Sequence, residues 1–171
     1  MSDDNKMTII ATKGTFDWAF PPFILASTAV AMDKEVTMFF TFYGLNLLLK
    51  DTSKMRVTPI GNPSMPMKMP FGPKWLQKID FGPKIPNVVW NIPGADRLVT
   101  WMMKKTMQKH GVAKLEELRA MCLEFDVKFI ACEMTVELFG YNKEDFIEGV
   151  EFGGAATYFD EASTGNHHLY L

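Results

Sequence analysis

Three short apolar segments constrain the fold of this chain more than any other feature of its sequence. "MTIIATKG" (residues 7–14), "KEVTMFFTFYG" (34–44) and "VKFIAC" (127–132) are rich in β-branched or aromatic residues. Segments of this kind are typical of strands that are buried on both faces. Each is followed by a stretch of helix-forming residues, so the pattern predicts an α/β fold built on a mainly parallel sheet.

The intervening segments predict helices and one more strand. "FPPFILASTAVAMD" carries its prolines in the first turn of a helix, and "LNLLLKD" starts a shorter one. In residues 111–126, apolar side chains recur at steps of three and four, which indicates an amphipathic helix with an apolar stripe formed by Val112, Leu115, Leu118, Cys122 and Phe125. "EMTVELFG" and "AATYFDEAS" predict two further helices, "NKEDFIEGVEFGG" a turn or short helix, and "NHHLYL" a closing edge strand.

Residues 52–110 interrupt this alternation. They contain eight of the ten prolines, three of the four tryptophans and a net charge of +8, while the rest of the chain carries −10. We therefore expect a single domain, residues 1–171, with an insertion at 52–110. Near its end, "ADRLVTWMMKKTMQKH" predicts an amphipathic helix with Leu98, Trp101, Met102 and Lys105 on one face.

The charge of this insertion suggests what it contacts. A basic segment rich in aromatic residues and methionine fits a surface for an acidic protein, an anionic membrane or nucleic acid. The alternative is a solvated insertion whose lysines confer solubility.

The remaining composition excludes several classes of protein. Two cysteines, Cys122 and Cys132, cannot form a disulfide framework. The chain opens with the acidic "MSDDNK", and its longest apolar run, residues 18–32, is interrupted by two prolines and is shorter than the roughly 20 residues of a membrane-spanning helix. We expect a soluble, cytoplasmic protein. His167 and His168 face opposite sides of a strand, so no metal site is expected.

Cys132 is the leading candidate for chemistry. It stands at the carboxyl end of a predicted parallel strand, where ligands collect in such sheets, and directly before a helix. Helix N–H groups favour the thiolate, which is the nucleophilic form of cysteine. The alternative is a buried cysteine that fills space.

Cys122 lies on the apolar stripe of the preceding helix, where a small core residue is expected. The helix and the strand run antiparallel and turn near Asp126. Cys122 then lies roughly 6 Å and Cys132 roughly 20 Å from the turn. Their offset of about 14 Å exceeds the roughly 7 Å limit between the α-carbons of a disulfide. A redox couple within one chain is therefore not expected.

Other polar residues should surround Cys132. The first strand ends in "TKGTFDW", which supplies Lys13 and Asp17, and the second ends in "FTFYG", which supplies Tyr43. Glu133 follows Cys132 directly. A nearby lysine would lower the pKa of the thiol, and a tyrosine hydroxyl could hold a sulfur substituent, although Lys13 could equally be solvated and Tyr43 buried in the core.

Several motifs together resemble a known family. "ATKGTFDWAFPPFILASTAVAM", "VTMFFTFYGLNLL", "VKFIACEMTVELFGY" and "GGAATYFDEA" are similar to the DsrE/DsrF/DsrH-like family of small sulfur-relay proteins, and most similar to its larger subgroup that is sometimes labelled peroxiredoxin-like. The resemblance covers nearly the whole chain. It implies a three-layer α/β sandwich, assembly into homo-oligomers such as trimers or hexamers, and a role as a sulfur carrier or sulfurtransferase without a cofactor.

The resemblance also implies roles for both cysteines. The family's sulfur-bearing cysteine, in an "AC-x-M" motif, corresponds to Cys132, and a second upstream cysteine corresponds to Cys122. The partner would be an acidic sulfur-carrier protein rather than nucleic acid. Two other interpretations remain: a non-catalytic adaptor that docks its basic insertion on a membrane surface or acidic partner, and a flavodoxin-like nucleotide or flavin binder that uses the glycine loop "TKGTF".

Overall fold

The computed structural model describes residues 3–58, 68–80, 86, 88 and 92–171. The chain forms two compact units. The first comprises Met1–Met55 and Lys114–Leu171, and the second comprises Arg56–Ala113. Part of the insertion expected at 52–110 lies outside the described residues, including Trp90. In the described ranges, no helix is both long enough and apolar enough to cross a membrane.

The first unit is built on a five-stranded sheet. Its strands are β1 (Asp3–Ala11), β2 (Glu35–Phe40), β3 (Lys128–Cys132), β4 (Val150–Gly153) and β5 (Gly165–Tyr170). Their order is β4-β3-β2-β1-β5, and every neighbouring pair is parallel. The predicted parallel α/β sheet is thus confirmed, with β5 as an edge strand.

Strand β4 differs from the prediction, which gave this segment a turn or short helix. The short helix is present as a single 3₁₀ turn, Lys143–Asp145, but it is followed by the four-residue strand "VEFG". This strand is short, lies at a sheet edge and is flanked by glycines, so it lacks the apolar run that identified the central strands.

The helices of the first unit are α1 (Phe20–Val30), α4 (Leu115–Glu124), α5 (Glu133–Phe139) and α6 (Ala155–Ala162), together with a 3₁₀ helix, Phe42–Leu48. The second unit contains α2 (Lys74–Gln77) and α3 (Ala95–Lys109). Helix α1 has prolines in its first turn, where their missing N–H groups cost nothing. Helix α5 ends at Gly140, which adopts the left-handed conformation with φ of 68°.

Helices cover both faces of the sheet. On one face, the ring of Phe23 from α1 lies 5.9 Å from Phe40 and 5.7 Å from Phe129. On the other face, Phe39 packs on Tyr158 of α6 at 5.4 Å. Because successive strand residues point to opposite faces, Phe40 packs against α1 and Phe39 packs against α6.

Helix α6 is also held by charge. The carboxylate of Glu161 accepts hydrogen bonds from Lys6 Nζ of β1 at 2.9 Å and from Lys128 Nζ of β3 at 2.8 Å. A single side chain therefore connects α6 to two strands that are separated by β2.

The predicted helical stripes are only partly correct. In α4, Leu115, Leu118 and Cys122 are buried, but Val112 and Phe125, beyond the ends of the helix, are exposed. In α3 the predicted face is wrong.

In α3, Leu98 and Trp101 are 57% and 46% exposed, whereas Val99 and Thr100 are buried. Thr100 can be buried because its hydroxyl accepts a hydrogen bond from the Val57 N–H at 2.9 Å and donates to the Asp96 carbonyl at 2.7 Å.

Candidate functional site

Cys132 is the last residue of β3 and caps the amino end of α5. Its side chain is only 5% exposed. It packs with Phe39, Ile130 and Tyr158 on the face of the sheet that α6 covers. The thiol therefore lies at the carboxyl edge of the sheet, beneath aromatic side chains.

Two opposing influences set the pKa of the Cys132 thiol. Burial is the largest single influence, and by itself it raises the pKa. Hydrogen-bonding groups act in the other direction: the hydroxyl and N–H of Thr135, the hydroxyl of Thr41 and the N–H of Met134. Together they outweigh burial, so the pKa lies below the ordinary value. The neutral thiol makes no capping hydrogen bond, so we expect the N–H groups to act mainly on the thiolate.

The two threonines form a small network around the sulfur. Thr41 follows β2, and its Oγ1 lies 3.1 Å from Oγ1 of Thr135 in α5. The Phe42 N–H donates to the same Thr135 oxygen at 3.4 Å. Neither residue was predicted from the sequence. The available signals were the position of Thr41 at the end of a predicted strand and of Thr135 in the third position of the helix that Cys132 begins.

A cavity of about 570 Å³ lies on the far side of three residues that surround the thiol, Phe39, Thr41 and Tyr158; Cys132 itself does not line it. It is bounded by the carboxyl ends of β1 and β2, by β5 and by α6, and its wall includes six aromatic residues: Phe39, Phe42, Tyr43, Tyr158, Phe159 and Tyr170. Phe39 and Tyr158 also pack on Cys132, and Thr41 belongs both to the cavity wall and to the threonine pair beside the sulfur. The surroundings of Cys132 on this side are thus mainly aromatic.

Lys13 and Tyr43, which follow β1 and β2, both line this cavity. The Lys13 ammonium lies 3.2 Å from the centroid of the Trp18 ring. It is not among the groups that lower the pKa of Cys132. Tyr43 is 65% exposed and stacks on Phe139 at 5.7 Å. The sequence left open whether Tyr43 belongs to the core. In the structure it is a surface residue.

Asp17 and Glu133 lie near the same edge but outside the cavity wall. Asp17 is half-buried in the turn that follows β1. Glu133, the first residue of α5, is exposed and pairs with Lys143 at 3.5 Å. The structure does not bring either carboxylate to the wall of the cavity beside the thiol.

Cys122 lies in different surroundings. It is fully buried, and its thiol donates to the Phe23 carbonyl at 3.6 Å on the α1 face of the sheet. Burial raises its pKa to about 11. Because Cys132 packs on the opposite face, the sheet separates the two sulfurs. Both cysteines are free.

The glycine loop "TKGTF" is closed by backbone packing. A Cβ atom on Gly14 would clash with the carbonyl oxygen of Tyr43, and one on Gly44 would clash with the carbonyl of Ala11. These glycines allow the loops after β1 and β2 to approach each other closely. Nothing in this arrangement resembles an open phosphate cradle. Within the described part of the chain, no three His, Cys, Asp or Glu side chains are placed to bind a metal.

Comparison with known proteins agrees with this architecture. The chain is 49% identical over 169 residues to the sulfur carrier protein DsrE2 of Allochromatium vinosum, and the alignment covers 99% of each chain. It is 31% identical over 176 residues to YrkE of Bacillus subtilis, with 97% of this chain and 96% of the relative covered. The crystal structure of the ychN protein from E. coli shares the fold, with a TM-score of 0.52 at 10% identity over 98% of this chain and 99% of the other.

The family comparison gives the broadest result. Residues 3–170 match the DsrE/DsrF/DrsH-like family. The matched segment includes residues of both compact units and Cys132. The chain therefore belongs to the DsrE/DsrF/DrsH-like family.

Proposed function

We propose that this protein is a sulfur carrier that holds a persulfide on Cys132 and passes the outer sulfur to an acceptor thiol. The observation that carries the proposal is the position of Cys132 at the carboxyl end of β3 and the start of α5, beside the paired hydroxyls of Thr41 and Thr135. Hydrogen bonds from this position lower the pKa of the thiol despite its burial. A thiolate at that position has both the nucleophilicity and the placement that the reaction needs. The name of the Allochromatium vinosum relative, a sulfur carrier protein, supports the same role.

The reaction requires no external oxidant or reductant. The Cys132 thiolate attacks the outer sulfur of a donor persulfide, R–S–S–H. A bond forms between the Cys132 sulfur and the outer sulfur, which gives the persulfide Cys–S–S–H. The S–S bond of the donor breaks at the same time, and R–S⁻ leaves. An acceptor thiolate then attacks the outer sulfur of the Cys132 persulfide by the same chemistry, and the Cys132 thiolate is released. Loading of Cys132 and transfer to the acceptor are the two halves of this reaction. A protein that completes both halves rapidly and repeatedly is a sulfurtransferase, and one that completes them slowly is a carrier.

Cys122 has no part in this proposal. Its raised pKa keeps it protonated at neutral pH, and the sheet separates it from Cys132. This separation protects the persulfide, because a second thiolate within reach would attack it and release the sulfur.

A relay assay tests the proposal. Protein loaded with sulfur and freed of donor is mixed with an acceptor thiol, and persulfide on the acceptor is measured over time. We expect Cys122→Ser to transfer sulfur as the wild type does and Cys132→Ser to transfer none. Sulfur transfer by the Cys132→Ser protein would refute the proposal.

The adaptor function is a second candidate, because part of the second unit is apolar and exposed. Phe71 and Trp101 pack at 5.6 Å and are both exposed, as is Trp75. Such side chains fit a contact with another subunit, in a trimer or hexamer, or with an acidic partner protein or membrane surface. Under this alternative, Cys132→Ser would leave partner binding and biological activity intact.

A further inference from the structure

We propose that the aromatic cavity beside Cys132 binds the organic group of an apolar, low-molecular-weight persulfide, which loads this cysteine directly. The inference rests on the proposed function, since it names the sulfur donor for the same thiol. It adds a small-molecule binding site, which sulfur exchange with a protein thiol would not by itself require.

The size of the cavity fits a small molecule. Its volume of about 570 Å³ falls in the range of roughly 300–1,000 Å³ that is usual for ligand sites. One added sulfur atom needs far less space than this. The cavity is therefore large enough to hold the organic group that carries the sulfur.

The lining selects an apolar group. Six aromatic rings form most of the wall, and Ile10 and Ala155 add aliphatic surface. Divalent sulfur makes favourable contacts with aromatic rings at about 5 Å. A charged peptide-like carrier such as glutathione would lose much of its hydration in this site without enough polar groups to replace it.

Polar residues also line the cavity. They include Thr12 and Thr41, and Lys13 is the one charged residue among those that line the cavity in the described part of the chain. Thr41 also contacts the network that lowers the pKa of Cys132. A persulfide anion or a departing thiolate in this cavity would be attracted to the Lys13 ammonium.

The loading step balances in atoms and charge. The Cys132 thiolate attacks the outer sulfur of R–S–S–H, the new S–S bond forms, the S–S bond of the donor breaks, and R–S⁻ departs with the electron pair. The organic group stays in the cavity during attack and leaves as the thiolate. Because Cys132 does not line the cavity, the outer sulfur of the donor reaches the thiol by passing between Phe39, Thr41 and Tyr158.

Two neighbouring alanines in the first turn of α6 provide a matched pair of variants. Ala155 and Ala156 are both exposed, but only Ala155 lines the cavity. Ala155→Trp should fill the cavity from its rim, whereas Ala156→Trp adds the same bulk elsewhere. Sulfur uptake at Cys132 is followed by intact mass with three donors: benzyl persulfide, glutathione persulfide and inorganic disulfide, HS–S⁻.

We expect the wild type and Ala156→Trp to load faster from benzyl persulfide than from glutathione persulfide. Ala155→Trp should lose about tenfold or more of the benzyl persulfide rate, a change of about 1.4 kcal/mol, and should keep its rate with inorganic disulfide. As a measurement that needs no variant, benzyl methyl sulfide, which cannot donate sulfur, should slow loading of the wild type by benzyl persulfide.

The inference is overturned if Ala155→Trp and Ala156→Trp load equally from benzyl persulfide and benzyl methyl sulfide does not compete. In that case uptake from inorganic disulfide would still support the proposed carrier function. Failure of Cys132 to take up sulfur from all three donors would overturn both.

Discussion

Burial and hydrogen bonding act in opposite directions on the Cys132 thiol, and the outcome decides its reactivity. The hydroxyls of Thr41 and Thr135 and two backbone N–H groups outweigh the cost of placing a thiolate among apolar side chains. At Cys122 the effect of burial is the larger one, and it raises the pKa of the thiol. The same residue type thus has two chemistries in one chain, set by the neighbours of each sulfur.

The first prediction follows from this contrast. At neutral pH, iodoacetamide should modify Cys132 much faster than Cys122, because only the thiolate reacts and the pKa of Cys122 is raised to about 11. Peptide mapping after timed alkylation measures both rates in the wild type. Equal rates at the two cysteines would contradict the assignment of Cys132.

A second prediction concerns the threonine network. Thr135→Val removes a buried hydroxyl that stabilises the thiolate, so the pKa of Cys132 should rise. A hydrogen bond to a charged group contributes about 1.5–3 kcal/mol, which is large enough for the rise in the pKa to be seen in a titration.

The pH dependence of alkylation at Cys132, measured in the Cys122→Ser background, reports this pKa. Thr135→Ser retains the hydroxyl and serves as the control, which should restore the original profile. If the valine and serine variants titrate alike, the hydroxyl does not stabilise the thiolate.

At the scale of elements, the sequence identifies what is local and apolar. The strands β1, β2 and β3 were predicted because each is a continuous apolar segment, and α5 because Gly140 ends it. β4 was missed because four residues at an edge leave no such pattern. The pairing of Thr41 with Thr135 joins residues 94 positions apart, and only the order of the strands brings them together.

The attachment of α6 to the sheet gives a third prediction. The pKa of Glu161 is lowered by hydrogen bonds from Lys128 first and then Lys6. A carboxyl group with a lowered pKa in the folded state stabilises the fold above its unfolded value of about 4.3, and this contribution is lost as the pH falls through the folded value.

Glu161→Gln should therefore lower the free energy of unfolding by about 1–2 kcal/mol at neutral pH, after allowance for partial exposure of the three side chains. The difference from the wild type should shrink as the pH falls below about 4. Urea denaturation across this pH range measures it, with the exposed Glu148→Gln as control. A difference that stays constant with pH would mean that the ion pairs do not cause it.

At the scale of the whole molecule, charge is divided unevenly. Residues 52–110 carry +8 and the remainder of the chain −10. We propose that this basic segment attracts an acidic sulfur-carrier partner. Electrostatic attraction of this kind acts mainly on the association rate, and it weakens as the Debye length falls from roughly 30 Å at 0.01 M salt to about 8 Å at 0.15 M.

Sulfur transfer to an acidic partner should therefore slow as ionic strength rises, with the effect in association and not in the chemical step. Lys104→Glu with Lys105→Glu, both exposed on α3, should produce the same slowing at low salt. Lys50→Glu with Lys114→Glu makes an equal charge change in the first unit and is the control. Equal slowing by the two pairs of variants would indicate an effect of net charge and not of the basic segment.

The intact mass of the protein, after incubation with a persulfide donor and removal of excess reagent, tests most directly whether Cys132 carries the sulfur. We expect one added sulfur atom per chain in the wild type and in Cys122→Ser, removed by a reducing agent, and none in Cys132→Ser. Retention of the added sulfur by Cys132→Ser, or its absence from the wild type, would contradict the assignment of Cys132 as the sulfur-bearing residue.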